Sequence, residues 1–292
     1  MKLVSVLVGG QRRAGVLDRE HVYVSGIPGL DAALAGDLRV DQAPGRWWAV
    51  DEVVFDAPLR PPFLLCTGNN YVDHNDERTR IETERMEFFL KAGQTIAPPA
   101  EPVRLNPEFS RKLDQETELG IVIGKAARNI GVEAARQHIF GYVIVNDLTA
   151  RDLQVRRRSD GMFAMDLGAS KNFDGATRLN RSVLTADEVA DPHALEIATR
   201  VNGQYRQLNN TANMINRIER IVSLFSKVIT LQPGTIISTG TPGGTGWGQD
   251  ATLGGNGRIP ARCVAGAYLA AGDRVESCIQ GMDDLTFCAS GS

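Results

Sequence analysis

The chain has 292 residues, 42% of them hydrophobic and 23% charged, with a formal charge of −3. That length can bury a large core, and the composition is that of an ordinary globular protein. The near-balanced charge gives no basic field, so nucleic acid is not expected as a partner. The four cysteines Cys66, Cys263, Cys278 and Cys288 form no C-x-x-C pair. Neither a zinc knuckle nor a disulfide scaffold is indicated, and a reducing, cytoplasmic setting is expected. The opening MKLVSVLVGGQRR is too short for a signal h-region and alternates like a strand. No run approaches the about 20 apolar residues that span a bilayer, so no membrane partner is expected.

In chain order, residues 1–60 read as a small β-rich domain. KLVSVLV and GVLD are joined by a hairpin turn at Gly9 and Gly10, VYVS follows, and LDAALAG reads as a short helix. Pro61 and Pro62 mark the boundary to a second domain, residues 61–292, which starts with the strand FLLCTG. ELGIVIG, FGYVIVND, LEIATRV and TIISTG are further expected strands, and Asn202-Gly203 predicts a hairpin after LEIATRV. VEAARQHI predicts a short helix. Met214, Ile215, Ile218, Ile221, Val222, Phe225 and Ile229 recur at three- and four-residue spacing, which predicts a helix over residues 213–230. Thr211 or Asn210 would cap it, and Pro233-Gly234 would stop it. Residues 240–257 are glycine-rich and read as a long loop. The expected class is α+β, dominated by β structure.

Glu116 and Glu118 stand two residues apart at the mouth of ELGIVIG, so on a strand they share a face. Two like charges beside core would repel, and a hard divalent cation relieves that. Asp147 ends an apolar strand and is a third candidate ligand. Three carboxylates without histidine or cysteine favour magnesium, manganese or calcium over zinc. The bland alternative is a Glu-x-Glu pair on a solvated strand edge. In GNNYVDHNDE, His74 and Glu77 are three apart and share a face if the segment is helical, which is a general-base arrangement. A surface histidine beside an acidic run is the competing reading. The strand TIISTG runs into a Gly/Thr turn whose N–H groups and hydroxyls could hold an anion. Arg156, Arg157 and Arg158 read as a solvated turn rather than a polyanion site, with use of one of them by a small anionic substrate as the alternative.

Taken together these blocks resemble the fumarylacetoacetate hydrolase family, from about residue 63 to residue 285. The ordered set is GNNYVDHNDE, ETELGIVIG, NDLTARDLQ, SKNFD, VNGQYRQLNNT and TGTP. The resemblance implies a mixed β-roll with few helices and a smaller N-terminal region, assembled as a homodimer. It implies Glu116, Glu118 and Asp147 as ligands of Mg2+, Mn2+ or Ca2+. It further implies His74 and Glu77 as a catalytic dyad, Lys171 as the active-site lysine, and Tyr71, Gln154 and Thr241 as substrate contacts. The expected reaction is metal-dependent hydrolysis of a C–C bond in a small anionic β-diketo acid, of the acylpyruvate or 2,4-dioxo acid type. The alternative is a lyase or isomerase on a 2-oxo acid: decarboxylation of oxaloacetate, dehydration of a 2-oxo-3-deoxy sugar acid, or enol isomerisation. A carboxylate-bound calcium that merely staples a binding protein is a third reading. Three features depart from the family pattern: the stretch after SKNFD, the closing turn at residues 281–285, and a long loop after TGTP.

Overall fold

The computed structural model describes residues 1–77, 86–157, 159 and 162–291. Arg158, one of the three consecutive arginines, lies outside them; Arg156 is exposed and 3.4 Å from Asp166.

Strands dominate, as the alternating and continuous apolar runs require. A 13-stranded mixed sheet is the backbone of the molecule. At its centre Thr117–Ile123 pairs antiparallel with Ile139–Asp147 on one side and with Ile236–Ser238 on the other. Every residue of Thr117–Ile123 is buried, which is why this run reads as continuously apolar rather than alternating. Ile236–Ser238 pairs parallel with Phe63–Thr67, whose other neighbour is the edge strand Phe88–Ala92. A second sheet of five strands carries the Glu196–Val201 and Gln204–Asn210 hairpin, turned at Asn202 and Gly203 as the sequence predicts.

The first sixty residues join this sheet directly. Lys2–Val8 pairs with Gln11–Asp18 on one side and with Ser182–Thr185 on the other. One apolar cluster contains Leu3, Ile27 and Leu30 together with Val143, Val183 and Ile236. The N-terminal region and the rest of the chain therefore share both a sheet and part of a core.

Helices are few. Leu30–Ala35 forms as expected. VEAARQHI is a 3-10 helix, Val132–His138. The helix expected over residues 213–230 is shorter, Ile218–Val228. Its apolar stripe, with Ile218, Ile221, Val222 and Phe225, is buried in the largest core cluster. Its start is displaced because the preceding residues are recruited elsewhere. Asn210 caps the 3-10 turn Thr211–Asn213 by accepting from the Ala212 N–H at 2.9 Å. Met214 then bridges to Tyr71, and the Ile215 N–H donates to the Asn70 carbonyl at 2.8 Å. Among the described residues no helix is long and apolar enough to cross a membrane.

Candidate active site

Register builds the carboxylate cluster. Thr117 lies opposite Asn146, so Glu116 lies opposite Asp147, and the Asp147 N–H donates to the Glu116 carbonyl at 2.8 Å. Glu118 falls two residues along on the same face. One ligand atom from each of Glu116, Glu118 and Asp147 lies within 4.8 Å of the others, and all three are buried. The solvated-edge reading of the Glu-x-Glu pair does not hold.

Buried cations offset this charge. Lys171 donates to Glu116 Oε2 at 2.6 Å and to Asp147 Oδ2 at 2.7 Å. Lys91, fully buried on the edge strand, binds Asp147 Oδ1 and donates to the Ala176 carbonyl at 2.8 Å. Arg151 donates to Glu116 Oε1 at 2.5 Å, to Asp114 Oδ2 at 2.8 Å and to Gln154 Oε1 at 2.7 Å. It sits in the short helix Arg151–Gln154, where positions three apart share a face. Glu118 instead accepts from neutral donors, the Ser238 hydroxyl at 2.5 Å and the Gly240 N–H at 2.9 Å.

The ionisation of the cluster follows. Burial pushes Glu118 up to about 8, with the Asp147 and Glu116 charges adding to it. Burial acts the same way on Glu116, but Lys171 and Arg151 outweigh it and hold that carboxyl well below the usual range. Burial alone would lower the Lys171 ammonium, yet Asp147 and Glu116 raise it. Fully ionised, Asp114, Glu116, Glu118 and Asp147 face three permanent cations among the described residues, Lys91, Lys171 and Arg151, so this set is one positive charge short. Three oxygen donors in that state fit a hard divalent cation.

Across the same cavity stands the dyad. The segment is helical over Val72–Asn75, and His74 Nδ1 lies 2.9 Å from Glu77 Oε2. Glu77 is fixed by the Gly244 N–H at 2.5 Å and the Thr245 hydroxyl at 3.1 Å. Gly244 has φ +110°, and a Cβ there would stand 1.8 Å from the Arg206 carbonyl oxygen, so only glycine delivers that N–H. Both dyad residues are buried, so the reading of a surface histidine does not hold. Burial pushes the Glu77 carboxyl up to about 8, against the Gly244 and Thr245 bonds. His74, Glu116, Glu118, Asp147 and Lys171 line one cavity of about 520 Å³.

The remaining expected contacts divide. Gln154 lines the cavity with its carboxamide oxygen turned to Arg151. Thr241 also lines it, but its hydroxyl donates to the Thr117 carbonyl at 2.9 Å and accepts from Gln207 at 2.8 Å. Its side chain braces the Gly/Thr turn rather than offering a proton to a ligand. Tyr71 does not line the cavity: its ring belongs to the main core cluster, and among the described residues its buried hydroxyl has no hydrogen-bond partner. Its segment is held in the bridge to Met214, which turns the ring inward.

Four participants escape sequence reasoning. Asp114 continues the alternation Asp114, Glu116, Glu118, a signal legible in LDQETE. It accepts from the Gly246 and Trp247 N–H groups at 2.8 and 3.1 Å. Lys91 is a lone charge in the apolar strand FFLKA, which is a mark of a buried partner. Arg151 lies inside a recognised block. Trp247, under the Arg151 guanidinium at 5.0 Å and edge-on to His74 at 6.4 Å, gives no local signal.

Comparison with known proteins identifies the family and the fold. The model for the fumarylacetoacetate (FAA) hydrolase C-terminal family matches residues 64–288. A human mitochondrial oxaloacetate tautomerase is 39% identical over 196 residues, covering 67% of this chain and 60% of that protein. The chain thus spans about three fifths of the length of such curated relatives. The solved fumarylacetoacetate hydrolase of Exiguobacterium antarcticum superposes with a TM-score of 0.80 at 30% identity, covering 100% of both chains. A 5-carboxymethyl-2-hydroxymuconate delta-isomerase from Mycobacterium smegmatis gives 0.75 at 27% identity, covering 100% of this chain and 99% of that one. The chain belongs to the fumarylacetoacetate hydrolase family of enzymes.

Proposed function

We propose that this chain processes a small 2-oxo acid through its enolate, by hydrolytic cleavage of a C–C bond in a β-diketo acid. The observation that supports it is the shared cavity, in which His74, backed by Glu77, faces three buried carboxylates and Lys171. Mg2+, or Mn2+ or Ca2+, held by Glu116, Glu118 and Asp147 would supply Lewis acidity toward the 2-oxo acid oxygens. With that charge added, Glu118 can ionise and the floor of the cavity becomes positive, which suits an anionic substrate. The Gln154 amide N–H group would orient the acid. His74, with its Nδ1 proton on the Glu77 carboxylate, would take a proton from water at Nε2, and the oxygen would add to the distal carbonyl. Lys171 would steady the negative charge left as the C–C bond breaks. The outer wall presents Met86, Phe88, Phe89, Met165 and Leu167 beside the Glu87 carboxyl. A neutral, apolar acyl group fits that wall better than a second carboxylate.

The test is loss of diketone absorbance from acylpyruvates, with the protein stripped by chelator and then reloaded with Mg2+ or Mn2+. Activity is expected only after reloading, and His74→Ala should lower kcat by about 10²–10⁴-fold. Undiminished turnover by that variant would sink the role of the dyad.

A second reading is favoured by one observation, the 39% identity to the human oxaloacetate tautomerase. Tautomerisation passes through the same enolate and needs no attacking water. Turnover in labelled water separates the two: hydrolysis places solvent oxygen in a new carboxylate, whereas tautomerisation places only solvent hydrogen on carbon.

A further inference from the structure

We propose that Asn256 and Arg258, on the long loop after the Gly/Thr turn, are positioning residues that hold the His74–Glu77 pair over the cavity. The inference rests on reading that pair as the acid–base group of the site. The helix carrying His74 is only four residues long, Val72–Asn75. A single turn has no stability of its own and takes its geometry from tertiary bonds.

Those bonds converge on the residues just after it. The Asn256 side-chain N–H group donates to the Asp76 carbonyl at 2.5 Å, and its backbone N–H donates to the Glu77 carbonyl at 3.1 Å. Two adjacent carbonyls are thereby held by one residue. The Asn256 side-chain oxygen accepts from the Arg258 N–H at 3.0 Å, and Arg258 Nη1 donates to Asp76 Oδ2 at 2.8 Å. The loop is itself anchored. The Gly257 N–H donates to the Gly248 carbonyl at 2.9 Å, and the Gln249 amide to the Arg258 carbonyl at 2.8 Å. One turn earlier, Gly244 and Thr245 hold the Glu77 carboxyl, while Gly246 and Trp247 hold Asp114. Glu77 is therefore gripped at its main chain by residue 256 and at its side chain by residues 244 and 245. The long loop after TGTP is the one that fixes the dyad.

Asn256 is exposed, so replacing it leaves the core intact. Asn256→Ala is expected to lower kcat about tenfold, because small displacements of an acid–base pair cost rate steeply. KM and the Mn2+ dissociation constant should stay within about twofold, since neither Asn256 nor Arg258 lines the cavity. Amide hydrogen exchange across residues 72–77 should accelerate, and Asn256→Gln should recover part of the rate. The exposed Arg258–Asp76 pair is weaker, so Arg258→Met should lower kcat about threefold with Arg258→Lys restoring it. Arg258→Met also decides the matter if Asn256→Ala fails to fold. Unchanged kcat and exchange in both variants, or a fall in thermal stability with kcat intact, would overturn the proposal. If His74→Ala alone is inactive, the dyad reading survives that failure; if His74→Ala is fully active, the dyad reading itself falls.

Discussion

Glu116 and Glu118 stand two residues apart, yet their carboxyls are driven in opposite directions. The difference lies in the partners: Lys171 and Arg151 reach Glu116, whereas Glu118 receives a hydroxyl and an N–H. Asp147 is held by two buried ammonium groups, so Asp147→Ala would leave Lys91 fully buried without its carboxylate. Removing one partner of such a cluster costs about 3–5 kcal/mol. Urea denaturation of the metal-free variant should read that loss, and a change below about 1 kcal/mol would mean the site is wetter than its burial implies. Glu77 gives a pH signature. Its folded value of about 8 lies above its ordinary 4.5, so the folded chain holds this proton more tightly than the unfolded chain. The stability it contributes is complete below pH 4.5 and is lost as the pH rises through about 8. Glu77→Gln should flatten that decline in denaturation midpoints. Because a general base needs the Glu77 carboxylate behind a neutral His74, kcat/KM of the metal-loaded enzyme should rise to a plateau as the pH rises and the Glu77 carboxyl, raised by burial, loses its proton.

Short elements position these groups, and their geometry comes from neighbours rather than from propensity. The turn after Ile236–Ser238 sends the Gly240 N–H to Glu118 and the Gly244 N–H to Glu77, so one turn braces both halves of the site. Gly244→Ala must push its Cβ away from the Arg206 carbonyl and cannot keep φ +110° without strain. The expected result is a kcat loss of about tenfold or more, with the pH limb displaced upward because Glu77 loses a donor that favours its charged form. An unaltered profile would show that Thr245 alone suffices. The same dependence on neighbours explains the helix start at Ile218. Periodicity reads Met214 and Ile215 as its first turn, but the Asn70–Tyr71 segment takes their backbone groups.

At the scale of the whole molecule, the strand Lys2–Val8 closes one side of the central sheet against Ser182–Thr185. Residues 61–292 alone would expose that edge and the apolar surface of Val143, Val183 and Ile236. Exposed edges of this kind promote aggregation. The truncated chain is therefore expected to be insoluble or to lose the cooperative transition of the full chain in thermal unfolding. A soluble, cooperatively folding fragment would show instead that the N-terminal sixty residues form a separable unit.

By itself the sequence determined what local order can carry. Strand identity follows from apolar runs, while alternation and i,i+3 spacing put the carboxylates and the His–Glu pair on shared faces and the family resemblance supplied their expected roles. The family follows from blocks kept in order. Only the tertiary structure decided which side chains meet. Lys91 and Lys171 are 80 residues apart, with one carboxylate between them, a contact that no spacing rule foretells. Tyr71, adjacent in sequence to the dyad segment, turns into the core. Asn256, about 180 residues from Asp76, grips it. Sheet register and loop anchoring set those meetings, because they join stretches far apart in the chain.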